Sequence, residues 1–439
     1  MSDFLFARSQ MAMSLAFHIV FAALGIGLPL LMVLAQGAYL RTRQPVYLEL
    51  SRRWAKGAAI LFAVGAVSGT VLAFELGLLW PGFMAHAGAI IGMPFSLEGF
   101  AFFTEAIFLG VFLYGRNRLP PWLHWLAGVI VALSGTLSGV FVVSANAWMN
   151  APTGFTMVNG RFTDIDPVAA MLNPATFHEV LHMTLAAFVA TGFAVAGVHA
   201  FGLLRNPTSL FHRCALRLAL IVGCVSIPLQ IASGDLSSRT VGRLQPAKLA
   251  AMEALYQTQA GAPLVIGGLP DDATRTVRWA LTIPGGLSWL LTNDPAARVP
   301  GLDEVPVADW PDVGVVHASF DLMVFCGFAL LALAGWAGWV WWRHRRLDAQ
   351  PWFLRALVAG APLGFVAIET GWIVTEVGRQ PWIIDHVMRT ADAVTPMPGL
   401  VVPFLAFTAL YVFLGVIVCQ LLRRLFRAAD GADSDRSPT

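Results

Sequence analysis

The sequence predicts an all-α integral membrane protein. It has nine transmembrane helices, its N-terminus outside and its C-terminus in the cytoplasm, and a long external loop between helices six and seven. Three observations carry this reading. The 439 residues are 57% hydrophobic and only 12% charged, with a mean hydropathy of +0.68, whereas soluble domains carry about 25% charged residues. Nine segments are long enough to cross a bilayer, which takes about 20 apolar residues each. Lysine and arginine then sort by side.

The spans fall near 14–38, 56–79, 96–115, 122–147, 178–204, 214–233, 316–342, 355–377 and 398–422. The first is read as a retained helix, because no basic stretch with a small-residue cleavage site marks a signal peptide. Eighteen of the 28 Lys and Arg residues collect on one side. They run from Arg41, Arg43, Arg52, Arg53 and Lys56 through Arg116, Arg118, Arg205, Arg213 and Arg217. Arg343, Arg345, Arg346 and Arg355 follow, and then Arg423, Arg424, Arg427 and Arg436 in the tail. Short loops rich in these cations stay in the cytoplasm. The chain divides into residues 1–233 with helices one to six, an external loop over 234–315, residues 316–425 with helices seven to nine, and a cytoplasmic tail over 426–439. A loop that long in a compact domain is usually functional. No internal repeat suggests a transporter of inverted halves. The net charge of +2 selects no partner class, and no nucleic-acid partner is expected. Cys214, Cys224, Cys326 and Cys419 show no CxxC spacing; they read as reduced core residues, and covalent c-type haem attachment is excluded.

Polar residues inside the spans carry the functional argument. In span eight, VAIETGWIVTEVGRQPW at 366–382, Glu369, Trp372, Glu376 and Arg379 recur at helical spacing and share one face. Charged groups at mid-membrane cost roughly 2.5–3.5 kcal/mol each, so such a stripe faces the protein interior and binds something. Span one carries His18, which alone fits a helix–helix hydrogen bond as well as a haem or ion ligand. Span three carries Glu98 and Glu105, two helical turns apart on one face; two buried acids favour proton relay or cofactor contact over structure. Glu75 reads as solvated near the external boundary, and His86 and His124 as surface or interface residues. Ser138 and Asn146 in span four suit helix gluing and proton relay equally.

Span five opens FHEVLHM, so His178, Glu179 and His182 match the HExxH zinc-protease pattern, but no third ligand is evident. Met323 in span seven, paired with His182, would complete a six-coordinate haem without an open position. In the loop, Lys248 and Glu253 are five residues apart on an expected short helix. Their spacing alone suits a solvated face; quinol head-group binding and proton acceptance is the functional reading. Asp235 is a further charge near the membrane surface.

Together these pieces resemble subunit I of the cytochrome bd-type quinol oxidases, of the short quinol-loop type, from about Arg8 through Trp382. The resemblance rests on GRQPW at 378–382, the preceding ETGW–TE run, KLAAMEA at 248–254, SANAWMNAP at 144–152 and LEGFAFF at 97–103, in this order. It implies three haems: a low-spin haem b with His182 and Met323 as axial ligands, and two high-spin haems, one b-type and one d-type or its b-type replacement, on His18 and Glu376. It implies that Glu98, Glu105 and Ser138 serve that pair and its protons, that Trp372 and Arg379 lie beside it, with Arg379 on the propionates, and that Lys248 and Glu253 bind quinol. Glu179 then has no catalytic role. The implied activity is oxidation of quinol at the external face and reduction of dioxygen to water with cytoplasmic protons. The implied setting is the plasma membrane of a bacterium or archaeon, with a second large membrane subunit and room for small single-span subunits.

Two positions depart from the family pattern. Asp321 stands where arginine is usual, two residues before Met323; an anion pointing at a haem there lowers its potential. Ala106 follows Glu105 where serine is common. Three other readings compete with the oxidase. One is a haem protein of this fold that passes quinol electrons to a partner without reducing oxygen. The second is an ion-coupled transporter or channel, which leaves His18, His182 and Met323 unexplained. The third is an intramembrane zinc protease.

Overall fold

A computed structural model describes residues 2–434 of the chain. The expected tail over 426–439 therefore reaches past them, and its Arg436 lies outside the described residues. Proline at the first helical position, where its missing N–H costs nothing, opens six helices: α2 (Pro45–Leu79), α3 (Pro81–Tyr114), α4 (Pro121–Asn150), α5 (Pro167–Met171), α8 (Pro246–Met252) and α11 (Pro351–Gly360). Side-chain caps open others: the Ser2 hydroxyl accepts from Leu5 N–H ahead of α1 (Asp3–Thr42), and Asp312 accepts from Val315 N–H ahead of α10 (Val313–His344). The remaining helices are α6 (Thr176–Arg205), α7 (Leu210–Leu244), α9 (Gly286–Thr292), α12 (Leu363–Val377), α13 (Thr390–Ala393) and α14 (Val401–Ser434).

Among the described residues nine helical stretches are long and apolar enough to cross a membrane, as the sequence predicts. Most of the helices run past the expected limits, and two differences matter for the site. The sixth crossing runs on to Leu244, so Asp235 and Arg239 lie on its polar last turns and pair at 2.9 Å. The eighth crossing is two helices, α11 and α12, because Ala361 and Pro362 interrupt the ladder. Between α7 and α10 the long loop holds α8, α9 and small antiparallel pairings, of 264–266 with 281–283 and of 269–271 with 276–278.

Small residues let the central helices touch. A Cβ on Gly364 of α12 would lie 2.5 Å from the Ala190 Cα of α6, and one on Gly192 of α6 would lie 2.7 Å from the Gly223 nitrogen of α7. Without a hydrophobic drive between helices in lipid, such close backbone contact is what holds them together. The outward faces stay apolar and open, as with Phe100, Phe103 and Ile107 on α3. The cation-rich connections meet at one end: Arg53 lies over Phe211, Arg217 over Trp341, and Arg213 pairs with Asp348 at 2.9 Å.

Not every polar residue sits where expected. Glu75 is not solvated: it is 1% exposed and accepts from Gln10 Nε2 at 2.9 Å. His124 is an interface residue, one of the two readings expected: it is buried and bonded to Gln36 of α1 and to the Phe112 carbonyl of α3, each at 2.7 Å. His86 is exposed, as expected. All four cysteines are free, but Cys419 faces outward and is no core residue.

Adding one methyl group at Gly364 must push α6 and α12 apart. Gly364→Ala should lower the detergent-solubilised protein's stability by about 1–3 kcal/mol, read as a lower thermal midpoint. Gly110→Ala, with nothing within 4 Å, should not; equal midpoints would refute the close-packing account.

Candidate functional site

The residues singled out from sequence gather in three places. Around α1, α3 and α4, His18 Nδ1 lies 2.9 Å from the Ser68 hydroxyl of α2. That hydroxyl gives its own proton to the Val64 or Gly65 carbonyl, so it accepts from His18 Nδ1–H and leaves the Nε2 lone pair for a metal. Glu105 is buried against Gly135 of α4, where a Cβ would lie 3.3 Å from its Oε1. Glu98, two turns earlier on α3, is half-buried, as is Ser138 on α4.

The second place is the bundle of α6, α7, α10 and α12, in which α6 and α10 each pack on α7 and α12. His182 repeats the His18 arrangement. Its Nδ1 lies 2.9 Å from the Ser233 hydroxyl, which donates to the Gln230 carbonyl. Gln230 Nε2 is 3.1 Å from His182 Nε2, so this amide must swing aside for a metal. Met323 Sδ sits in the space left by Gly371 of α12, 3.0 Å from where a Cβ would be. His178 bonds to Ser237 at 3.2 Å, one turn from the His182–Ser233 contact on both helices. Among the described residues no third His, Cys, Asp or Glu joins these two to complete a metal site.

The third place is a buried polar network where α4, α6, α8 and the end of α12 meet, and Asn150 is its hub. Asn150 Oδ1 accepts from Lys248 Nζ at 2.9 Å and Arg379 Nη1 at 3.0 Å, while its Nδ2 donates to Glu179 at 2.9 Å and Asn146 at 3.2 Å. Glu376 accepts from Asn146 Nδ2 at 2.5 Å and from Arg379 Nη2 at 2.6 Å. Gln245 completes the set on Lys248 at 2.8 Å. Two cations and two carboxylates are thereby satisfied together, which is what makes buried charge tolerable. Arg379 is 2% exposed and its Nε has no acceptor, the feature of a guanidinium that can take one more anionic oxygen. Trp372 packs beside this region on the α1–α6–α12 contact, and Glu369 Oε1 is buried without a partner.

Lys248 and Glu253 are each 4% exposed, which overturns the solvated-face reading of their spacing. Burial, reinforced by Arg379, lowers the Lys248 ammonium to about 8 against the pull of Glu179 and Glu376. Burial, with Asp321 adding to it, pushes the Glu253 carboxyl up to about 8, and its Oε2 is unpartnered. Asp321 is turned to the long loop, where it accepts from Gly267 N–H at 2.7 Å.

Asn150, Gln245, Ser68 and Ser233 were not singled out from sequence. Asn150 stands in SANAWMNAP, four residues after Asn146, so helical spacing could have flagged it. The serines carry no local signal. Glu179, expected to be idle, lies inside the network.

Residues 6–430 match the family model described as cytochrome bd terminal oxidase subunit I. The chain is similar to the putative cytochrome bd menaquinol oxidase subunit I of Bacillus subtilis, with 38% identity and 97% of each chain covered. It is also similar to the cytochrome bd-II ubiquinol oxidase subunit 1 of Escherichia coli, at 27% identity over 99% of this chain and 98% of that one. Among solved structures it matches the bd oxidase from Geobacillus thermodenitrificans with a TM-score of 0.92 and 38% identity, covering 97% of this chain and 99% of that one.

Removing the hub should be costly. Asn150→Leu leaves charged donors and acceptors without it and should cost about 1.5–3 kcal/mol or more, read as a lower thermal midpoint; an unchanged midpoint would show that the network closes without Asn150.

Proposed function

Because the chain belongs to the cytochrome bd terminal oxidase subunit I family, we propose that it is the haem-bearing subunit of a quinol oxidase that reduces dioxygen to water. The observation that carries the haem assignment is the matched pair of histidines. His18 and His182 each give Nδ1–H to a helix serine, which leaves Nε2 to act as an iron ligand, in His182 once the Gln230 amide moves off it. In this reading His182 and Met323 hold a low-spin haem b. His18 and Glu376 hold a high-spin haem b and a second high-spin haem, of d type or its b-type replacement. Arg379, with its spare Nε, suits a propionate. When bound, the haems supply the redox chemistry that takes electrons from quinol and gives them to dioxygen.

The chain's own residues handle position and protons. Lys248 keeps its ammonium fixed by Asn150 and Gln245 and can donate to a quinol oxygen. Glu253, with one free carboxylate oxygen and raised proton affinity, is suited to accept the quinol proton. Glu105 and Glu98 lie about 10 Å apart along α3, with Glu105 nearer the cation-rich end, and can hold protons on their way from that side. Nine crossings put the two termini on opposite sides. With the cation-rich end in the cytoplasm, the N-terminus and the quinol loop are outside. A second large membrane subunit would complete the assembly, in the plasma membrane of the cell.

The first test is a reduced-minus-oxidised visible spectrum of the purified complex, with quinol-driven oxygen uptake followed in the same sample. Low-spin and high-spin haem signals with uptake are expected, and His182→Ala should remove the low-spin signal alone. Haems without uptake would favour passage of electrons to a partner, and no haem would sink the proposal.

A second test uses pH. A base works only when ionised and Lys248 donates only while protonated, so with both groups titrating near 8 kcat/KM for quinol should rise to a maximum near pH 8 and fall beyond it. Glu253→Gln should be slower and lack that rise. A parent enzyme flat across this range would argue against Glu253 as the acceptor.

A further inference from the structure

Two side chains of α10 hold the long loop and belong to none of the three groups above. His317 is fully buried. Its Nδ1 lies 2.7 Å from the Met252 carbonyl, and its Nε2 lies 3.1 Å from the Gly267 carbonyl and 3.4 Å from Asp321 Oδ2. Asp321, one turn further on, accepts from the Gly267 N–H. With its proton on Nδ1, His317 donates to the Met252 carbonyl while Asp321 takes the Gly267 N–H, and the two side chains share one face of α10, since residues four apart on a helix are neighbours. Gly267 and Gly268 have φ of 66° and 103°; they turn the chain between the strand at 264–266 and the hairpin at 269–278. Met252 immediately precedes Glu253, and the Val313 and Val316 side chains of α10 pack into the same buried cluster as Leu249 and Met252.

The imidazole and the carboxylate together thus hold two parts of the loop that are distant in sequence. Which carbonyl receives its proton depends on the tautomer, but the ring is wedged between them in either. The carboxylate secures the second part through the Gly267 backbone N–H. We propose that His317 and Asp321 form a latch that pins the Lys248–Glu253 segment and the Gly267 turn to α10, which makes them positioning residues for the quinol site. The proposal rests on the quinol reading of Lys248 and Glu253. A loop that must be ordered each time quinol binds weakens that binding, so a loop that carries the quinol contacts gains from such an anchor. In the latch Asp321 acts as a hydrogen-bond acceptor.

The experiment compares variants of the assembled complex by hydrogen–deuterium exchange over peptides spanning 253–271 and by steady-state quinol oxidation. Asp321→Ala removes both acceptor and charge, whereas Asp321→Asn keeps an acceptor and removes only the charge. Asp321→Ala and His317→Ala should exchange faster at 264–271 and raise KM for quinol about tenfold, with kcat at saturating quinol and the haem spectrum within about twofold of the parent. Asp321→Asn should stay near the parent in both readouts. If His317→Ala does not fold, the Asp321 pair decides the matter alone, because that side chain is part-exposed. Asp321→Asn behaving like Asp321→Ala would assign the effect to charge and overturn the latch, as would unchanged exchange in the alanine variants. Faster exchange with an unmoved KM would overturn the positioning role. A parent complex that oxidises no quinol would instead overturn the functional reading, with the exchange data still deciding whether the loop is pinned.

Discussion

Buried charge has to be answered by other buried groups, and the functional half of this chain is arranged around that requirement. Asn150 meets it most directly: one side-chain amide, from the end of α4, contacts Lys248, Arg379 and Glu179, while Asn146 passes the connection to Glu376. No two of these charges would be stable in this position without the others, because breaking a buried pair strands an uncompensated ion. The network therefore does two things at once. It fixes the junction of α4, α6, α8 and α12, and it ties the segment assigned to quinol to the segment assigned to an iron ligand.

The same economy appears at the two histidines. In each case a serine on a neighbouring helix accepts the Nδ1 proton and passes its own to a backbone carbonyl within its own helix. The ring is oriented and its tautomer chosen by a residue outside the proposed ligand set. Across the bundle, close approach of α6 to α7 and α12 through Gly192, Gly223 and Gly364 brings the helices near enough for short serine side chains to reach.

Much of the fold was legible in the sequence because lipid leaves few options: apolar length gives the crossings and cation bias sorts the connections. The errors have a common cause. Hydropathy reports whether a residue likes water, not whether a partner is waiting. Glu75 reads as solvated near a span end, yet Gln10 meets it in the protein interior. The spacing of Lys248 and Glu253 suits a wet helix face, but α10 and Asn150 cover it. Asp235 and Arg239 looked like loop, although an ion pair four residues apart extends α7 through them. The proposed site residues on α1, α3, α6 and α12 stand out in sequence because each is a polar exception in an apolar run. Ser68, Ser233 and His317 do not, since their roles exist only once another helix is beside them.

The interrupted eighth crossing bears on how the chain reaches its membrane. The α11 piece has 10 residues and α12 has 15, which at 1.5 Å each cover about 15 and 22 Å of a hydrocarbon layer some 30 Å thick. Neither half could be threaded through the bilayer as an independent unit during synthesis. The pair must enter together and lean on α6 and α10, which emerge from the ribosome before it. Topogenesis then has a built-in order, in which the segment bearing Trp372 and Glu376 is lodged only after the walls that receive it are standing.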